Sequence, residues 1–345
     1  MKINMERLLQ RLQELVETPS VVGYYPQIHA LLEEFGKEVG VPITYDHRHT
    51  AYITLEGQNS DKVICYGGHL DTIGYMVRSV DENGLLKVRN LGGLSYTSTE
   101  GENVIIHTRS GKDYTGMIIH ESHSVHVFDD AREAPRDVDH MRILIDADVH
   151  SPEDVAALGI LPGDPVSVEP RYMVTEGGYI KSRHIDDKAA VAVLLEAIQT
   201  LVESGTRPAC TSVFAFPIYE EIGLGGAYVP EGVDAYIALD IGLIGPDNHG
   251  DEKKVSICAA DRHLPYDWEL TSRLIQTARE MGLPFGVDTF YRYGSGASAA
   301  VVAGNNSIPA LYGPAVWSSH GYERTHVEGI KACAELTLAL LESDF

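Results

Sequence analysis

Three apolar runs in this chain end abruptly in charge, and that pattern restricts the fold more than any other feature. Val63-Ile64-Cys65-Tyr66 is apolar throughout and passes through Gly67-Gly68 into His69-Leu70-Asp71. The run over 211–219 leads into Glu220-Glu221, and Tyr236-Ile237-Ala238-Leu239 leads into Asp240. A strand that is apolar without alternation is buried on both faces, as in a sheet covered by helices. Helical spacing supplies the covers. Leu8, Leu9, Leu12 and Leu15 predict an amphipathic helix over 4–16, and a second covers 26–38 and stops near Gly40. The Ala, Val and Leu-rich stretch 186–202 predicts a buried helix ending at Gly205, with further helices at 265–281 and 323–341 and a short one at 297–303. Strands are expected at 42–46, 50–55, 255–260, 287–291 and 308–312. The fold class is α/β, a mixed sheet in an α/β/α arrangement.

Between about 73 and 172 the character changes. Short alternating runs near 85–88, 104–107, 115–119, 142–145 and 166–169 are divided by Gly, Asp and Pro turns. Strands at that spacing predict a small β-barrel. One α/β domain, 1–72 with 174–345, interrupted by a β-rich insert at 73–173, accounts for both flanks better than three domains in series. The length of 345 residues suits two such units.

A net charge of −23 repels phosphates and anionic lipid, so neither nucleic acid nor membrane is an expected partner. No run of 18 apolar residues could span a bilayer. The first residues lack the apolar stretch of a secretory signal. Cys65, Cys210, Cys258 and Cys333 show no CxxC spacing and sit in apolar company, which predicts reduced, buried thiols in a cytoplasmic protein.

The charges after the strands carry the chemistry. In open α/β sheets, ligands bind beyond the carboxyl ends of the strands. There His69-Leu70-Asp71, Asp186-Asp187, Glu220-Glu221, Asp240 and His320 can converge. Two imidazoles and several carboxylates, without Cys, suit two divalent ions of the zinc, cobalt or manganese type. A carboxylate two residues from a ligating His can hold its tautomer. Taken singly, each motif has a plainer reading. HxD can be a polar turn, Asp186 or Asp187 an N-cap, and Glu220-Glu221 a solvated turn.

In order, HLDTIG at 69–74, SRHIDDK at 182–188, EEIG at 220–223, LDIG at 239–242 and SHGYERTH at 319–326 resemble the deblocking or glutamyl aminopeptidase family, especially its bacterial deblocking branch. The resemblance covers essentially the whole chain. It implies a dinuclear metallopeptidase that removes N-terminal residues from short peptides, often assembled as a tetrahedral dodecamer. It implies His69, Asp240 and a bridging Asp186 at one metal, with Glu221 and His320 completing the other. Asp71 would orient His69, and Glu220 would be the general base for a metal-bridging water. His326 competes with His320. His320 is preferred as the residue ahead of the final helix, where the family ligand sits, leaving Glu323 and His326 structural roles. The β insert would carry oligomer contacts and shape access. Gly296, within Tyr293-Gly294-Ser295-Gly296, stands where the family usually has Asp, and its presence removes none of the implied ligands.

Two further readings share these residues: hydrolysis of N-acylated or modified amides on the same two metals, and peptide binding without catalysis. The full set of six costly polar residues favours an enzyme. A glycosidase using Glu220 would leave both histidines unexplained. His120, His123 and His126 do not gather on one face of a strand at their spacing. The Gly223–Gly226 loop lacks a nucleotide fingerprint. Ser318-Ser319-His320 has no G-x-S-x-G elbow.

Overall fold

The computed structural model describes residues 2–344. The chain divides into two compact units. One runs to Thr72 and resumes at Arg171, and the other is Ile73–Pro170.

The larger unit is built on a nine-stranded mixed sheet. Its centre is four parallel neighbours in the order Cys210–Phe216, Asn59–Gly67, Ala235–Leu239 and Ile308–Val316. All four therefore end on the same edge. Successive residues serve opposite faces: Ile64 and Tyr66 enter one hydrophobic cluster, and Cys65 enters the other. The first cluster packs under helices Met5–Glu17, Pro26–Val39, Ile185–Ser204 and Val327–Leu341. The second packs under Gly296–Val302. Helix Ile185–Ser204 is buried from Ile185 to Leu201, which explains a composition of Ala, Val and Leu rather than an amphipathic stripe.

The smaller unit is a closed six-stranded barrel. The order around it is Gly74–Val80, Leu86–Leu91, Met141–Ile145, Asp113–His120, Asn103–His107 and Pro165–Val168. Alternate residues such as Val104, Ile106, Val166 and Val168 fill its core. Among the described residues, no helix is long and apolar enough to cross a membrane. All four cysteines are buried, and none is in a disulfide.

Two local expectations are corrected. The strand read over 211–219 stops at Phe216, because Pro217 has no N–H to donate to a ladder. Glu220-Glu221 then lies in a 3-10 turn, Glu220–Ile222, so turn geometry rather than strand alternation separates the two carboxylates. The helix read over 323–341 begins only at Val327. Glu323–His326 is a strand, paired antiparallel with Tyr179–Ser182, which itself pairs with Met173–Val174. Long-range pairing outweighs the local helical pattern there.

Candidate metal centre

The four parallel strands deliver their side chains to one edge. His69 follows Asn59–Gly67, Glu220 and Glu221 follow Cys210–Phe216, Asp240 follows Ala235–Leu239, and His320 follows Ile308–Val316. Asp186 and Asp187 join them from the start of the buried helix. Both depart from helical dihedrals, and the peptide between them is cis.

Asp186 lies between the two histidines. Its Oδ1 is 3.1 Å from His69 Nε2, and its Oδ2 is 3.5 Å from His320 Nε2. Glu221 Oε2 is 3.3 Å from His320 Nε2, and Glu220 Oε2 is 3.8 Å from His69 Nε2. Among the described residues two trios offer ligand atoms within 4.8 Å of one another: His69, Asp186 and Glu221, and His69, Asp187 and Asp240.

The donor chemistry fits metal ions. His69 Nδ1 lies 2.8 Å from the Asp71 carbonyl oxygen, which can only accept, so Nδ1 carries the proton. A neutral His69 then presents a bare Nε2 lone pair to an Asp186 oxygen. Two such atoms at 3.1 Å need a proton or a cation between them. The carboxyl groups carry the same message. Burial, with Asp186 nearby, pushes Asp240 up to about 7 and Glu221 up to about 8. Burial and the neighbouring Asp240 and Glu221 carry Glu220 well above the usual carboxylate range, against the pull of His69. Burial would lower the imidazole of His69, but Asp186 and the surrounding acids hold it well above its ordinary value. Buried acids crowded in this way call for positive charge.

Asp71 is fully buried and does more than the sequence suggested. Its carboxylate accepts from the backbone N–H groups of Glu220 and Glu221, each at 3.0 Å. Its carbonyl, rather than its carboxylate, makes the short contact to His69. Behind it lies Lys188, also fully buried, which donates to Ser20 Oγ at 2.5 Å. Burial lowers its ammonium to about 7, against the pull of Asp71 and Asp187. The Gly-rich loop after Glu220 has a steric purpose: a Cβ on Gly225 would meet Glu220 Cγ at 2.6 Å.

Three participants have no role assigned from sequence. Asp187 accepts from the His69 N–H at 3.1 Å through Oδ2, while its buried Oδ1 has no hydrogen bond. The adjacent Asp pair was its only signal. Tyr293 has a buried hydroxyl that faces the Asp240 carboxyl without reaching full hydrogen-bonding geometry. Tyr236 lies beside Gly296, where a Cβ would come within 3.4 Å of its hydroxyl. No local pattern marks either tyrosine.

His326 is committed elsewhere. Its Nε2 donates to the Gly177 carbonyl at 2.8 Å, and its Nδ1 accepts from the Glu328 N–H at 3.1 Å, capping the last helix. His120 bonds the Pro135 carbonyl and the Ser122 N–H within the barrel unit. Cys65 is buried inside its strand.

A parallel-centred α/β sheet that gathers histidines and carboxylates at its strand ends has the architecture of a metal-binding α/β protein. The chain belongs to the M42 glutamyl aminopeptidase family, whose model matches residues 50–336, and it is an aminopeptidase by that membership. The YhfE protein of Bacillus subtilis (strain 168) is 37% identical over 341 residues, covering 99% of each chain. The TET aminopeptidase from the marine sediment archaeon Thaumarchaeota archaeon SCGC AB-539-E09 superposes with a TM-score of 0.87 at 20% identity, over 97% of this chain and 96% of that one. The TET1 peptidase of Pyrococcus horikoshii, which can assemble into a tetrahedron or a large octahedral shell, gives 0.85 at 22% identity, over 97% and 99%.

Proposed function

We propose that this chain is a dinuclear metallo-aminopeptidase that removes N-terminal residues from short peptides. The observation that carries the reading is Asp186, whose two oxygens face His69 and His320 from opposite sides. His69, Asp186 and Asp240 would hold one ion, and Asp186, Glu221 and His320 the other; zinc suits this donor set, as do cobalt and manganese. Two such ions would lower the pKa of a bound water and polarise the scissile carbonyl.

The chain's own residues do the rest. Glu220 is the general base, taking the proton of the attacking water on its carboxylate and passing it to the leaving amine. Burial suits it to hold that proton between the two transfers. Asp71 fixes the backbone of Glu220 and Glu221 and so aims both side chains. The crowded carboxylates favour a substrate whose free amino group is charged.

The likeness to TET1 peptidase structures, one of them a dodecamer, supports a homo-oligomer of that kind, with the barrel unit carrying contacts between copies. Four buried thiols, none in a disulfide, support a cytoplasmic, reducing setting.

The test is metal content and release of N-terminal residues on one preparation, before and after chelation and readdition of zinc, cobalt or manganese. About two ions per chain and recoverable release are expected. Glu220→Gln should keep its metals and lose 10²–10⁴-fold in kcat. A fully active Glu220→Gln enzyme would refute the base assignment. Two metals without peptidase activity would redirect the reading to acylated amides, and activity untouched by complete metal removal would end it.

A further inference from the structure

Glu323 lies in the strand Glu323–His326, beside the cluster but outside both ligand trios. It is 2% exposed. Its Oε2 accepts from the backbone N–H of Asp186 at 3.1 Å, and its Oε1 from the backbone N–H of His320 at 3.2 Å. One carboxylate thus joins two turns 134 residues apart in the chain. A second acid this close to Asp186 is costly in a buried setting. Only a carboxylate gives two acceptor oxygens in that shape; a Gln would turn an NH₂ toward one of the two donors.

The strand places the clamp where it is needed. Glu323–His326 pairs with Tyr179–Ser182 in antiparallel register, with Ser182 opposite Glu323 and Tyr179 opposite His326. Glu323 therefore stands at the end of the ladder from which both chains leave, one toward Asp186 and the other toward His320. The far end is fastened by the His326 bond to Gly177 and by the edge of His326 against Tyr179, with ring centres 4.8 Å apart. Each turn also contains a histidine in the left-handed region, His184 at φ 67° and His320 at φ 64°. Such residues hold that conformation only where their surroundings impose it.

We propose that Glu323 is a positioning residue for the second metal site, using one carboxylate to hold the backbone turns that present Asp186 and His320. The inference rests on the dinuclear reading above. A ligand imidazole and a bridging carboxylate must keep a fixed separation, and Glu323 sets it through their main chains rather than their side chains.

The experiment titrates zinc into the metal-free, full-length protein against a chromophoric chelator, for wild type, Glu323→Gln and Glu323→Asp, with melting of each metal-free protein alongside. Glu323→Gln should bind the second zinc about 10–100-fold more weakly, with a smaller loss at the first, which shares only Asp186 with it. Glu323→Asp, which keeps two oxygens on a shorter stem, should fall between. Wild-type affinity at both sites in Glu323→Gln would overturn the proposal. So would equal weakening of both sites with a collapsed melting temperature, the mark of a purely structural role. A wild-type chain that binds fewer than two zinc ions would instead sink the dinuclear reading, whatever the variants do.

Discussion

Stripping the metals should reverse the pH dependence of stability. Burial, with Asp186 nearby, raises Asp240 to about 7 and Glu221 to about 8. A carboxyl with a higher pKa folded than unfolded keeps its proton in the folded state after the unfolded chain has released its own. Raising the pH above about 4 then favours the unfolded state until the folded group also ionises. Each of the two groups costs about 1.4 kcal/mol per pH unit, roughly 5 kcal/mol for the pair between pH 5 and 7. At roughly 2 °C per kcal/mol for a unit of this size, the metal-free melting temperature should fall by about 10 °C over that range. His69 has the same sign, because a raised imidazole loses its stabilising charge as pH climbs through its folded value. Lys188, lowered to about 7, acts the other way only above that pH. Asp186, held low by His320 and His69 despite its burial, is ionised throughout the window. With zinc in excess the trend inverts, since metal ligands must be deprotonated and the binding free energy grows with pH. The assay is thermal melting at pH 5, 6 and 7 with chelator and with zinc. A chelated protein whose melting temperature is flat or rises from pH 5 to 7 would refute the account of these acids as buried without counter-charge.

Two further predictions separate neighbours in the sequence. His320→Ala should lose one metal equivalent and most activity. His326→Ala should keep both metals but lose about 1 kcal/mol with its helix cap, seen as a lower melting temperature; metal loss in His326→Ala alone would reverse the assignment. Gly296→Ala should fold normally, because its Cβ only reaches van der Waals contact with Tyr236 at 3.4 Å, whereas a Cβ on Gly226 would land 1.8 Å from the Gly296 carbonyl oxygen. Gly226→Ala should therefore be the variant that fails to accumulate as folded protein, and equal yields of the two would contradict the packing described.

Much was legible in the chain because burial leaves a local imprint. Val63–Tyr66 and Tyr236–Leu239 are apolar at each position since a hydrophobic cluster covers each face of the sheet. The charges that follow them mark the sheet edge where a site could form. The barrel announced itself through short alternating runs, and its first strand is Gly74–Val80. These features depend on a few consecutive residues, so a sequence window contains them. The strand expected over 211–219 ends early because Pro217 releases the chain from the sheet before it reaches Glu220-Glu221.

What only the tertiary structure decided is which polar atoms face one another. The sequence places His320 and His326 six residues apart with equal chemistry; the fold turns one toward Asp186 and Glu221 and spends both nitrogens of the other on Gly177 and Glu328. It brings Asp187 beside Asp240, gives the Asp71 carboxylate to the Glu220 and Glu221 backbone, and makes Glu323 a clamp on a strand where a helix was expected. Each of these is a hydrogen bond or close approach between residues distant in the chain. Local periodicity determines what must be buried, but a buried polar group is satisfied by whichever donor the packing brings within about 3 Å.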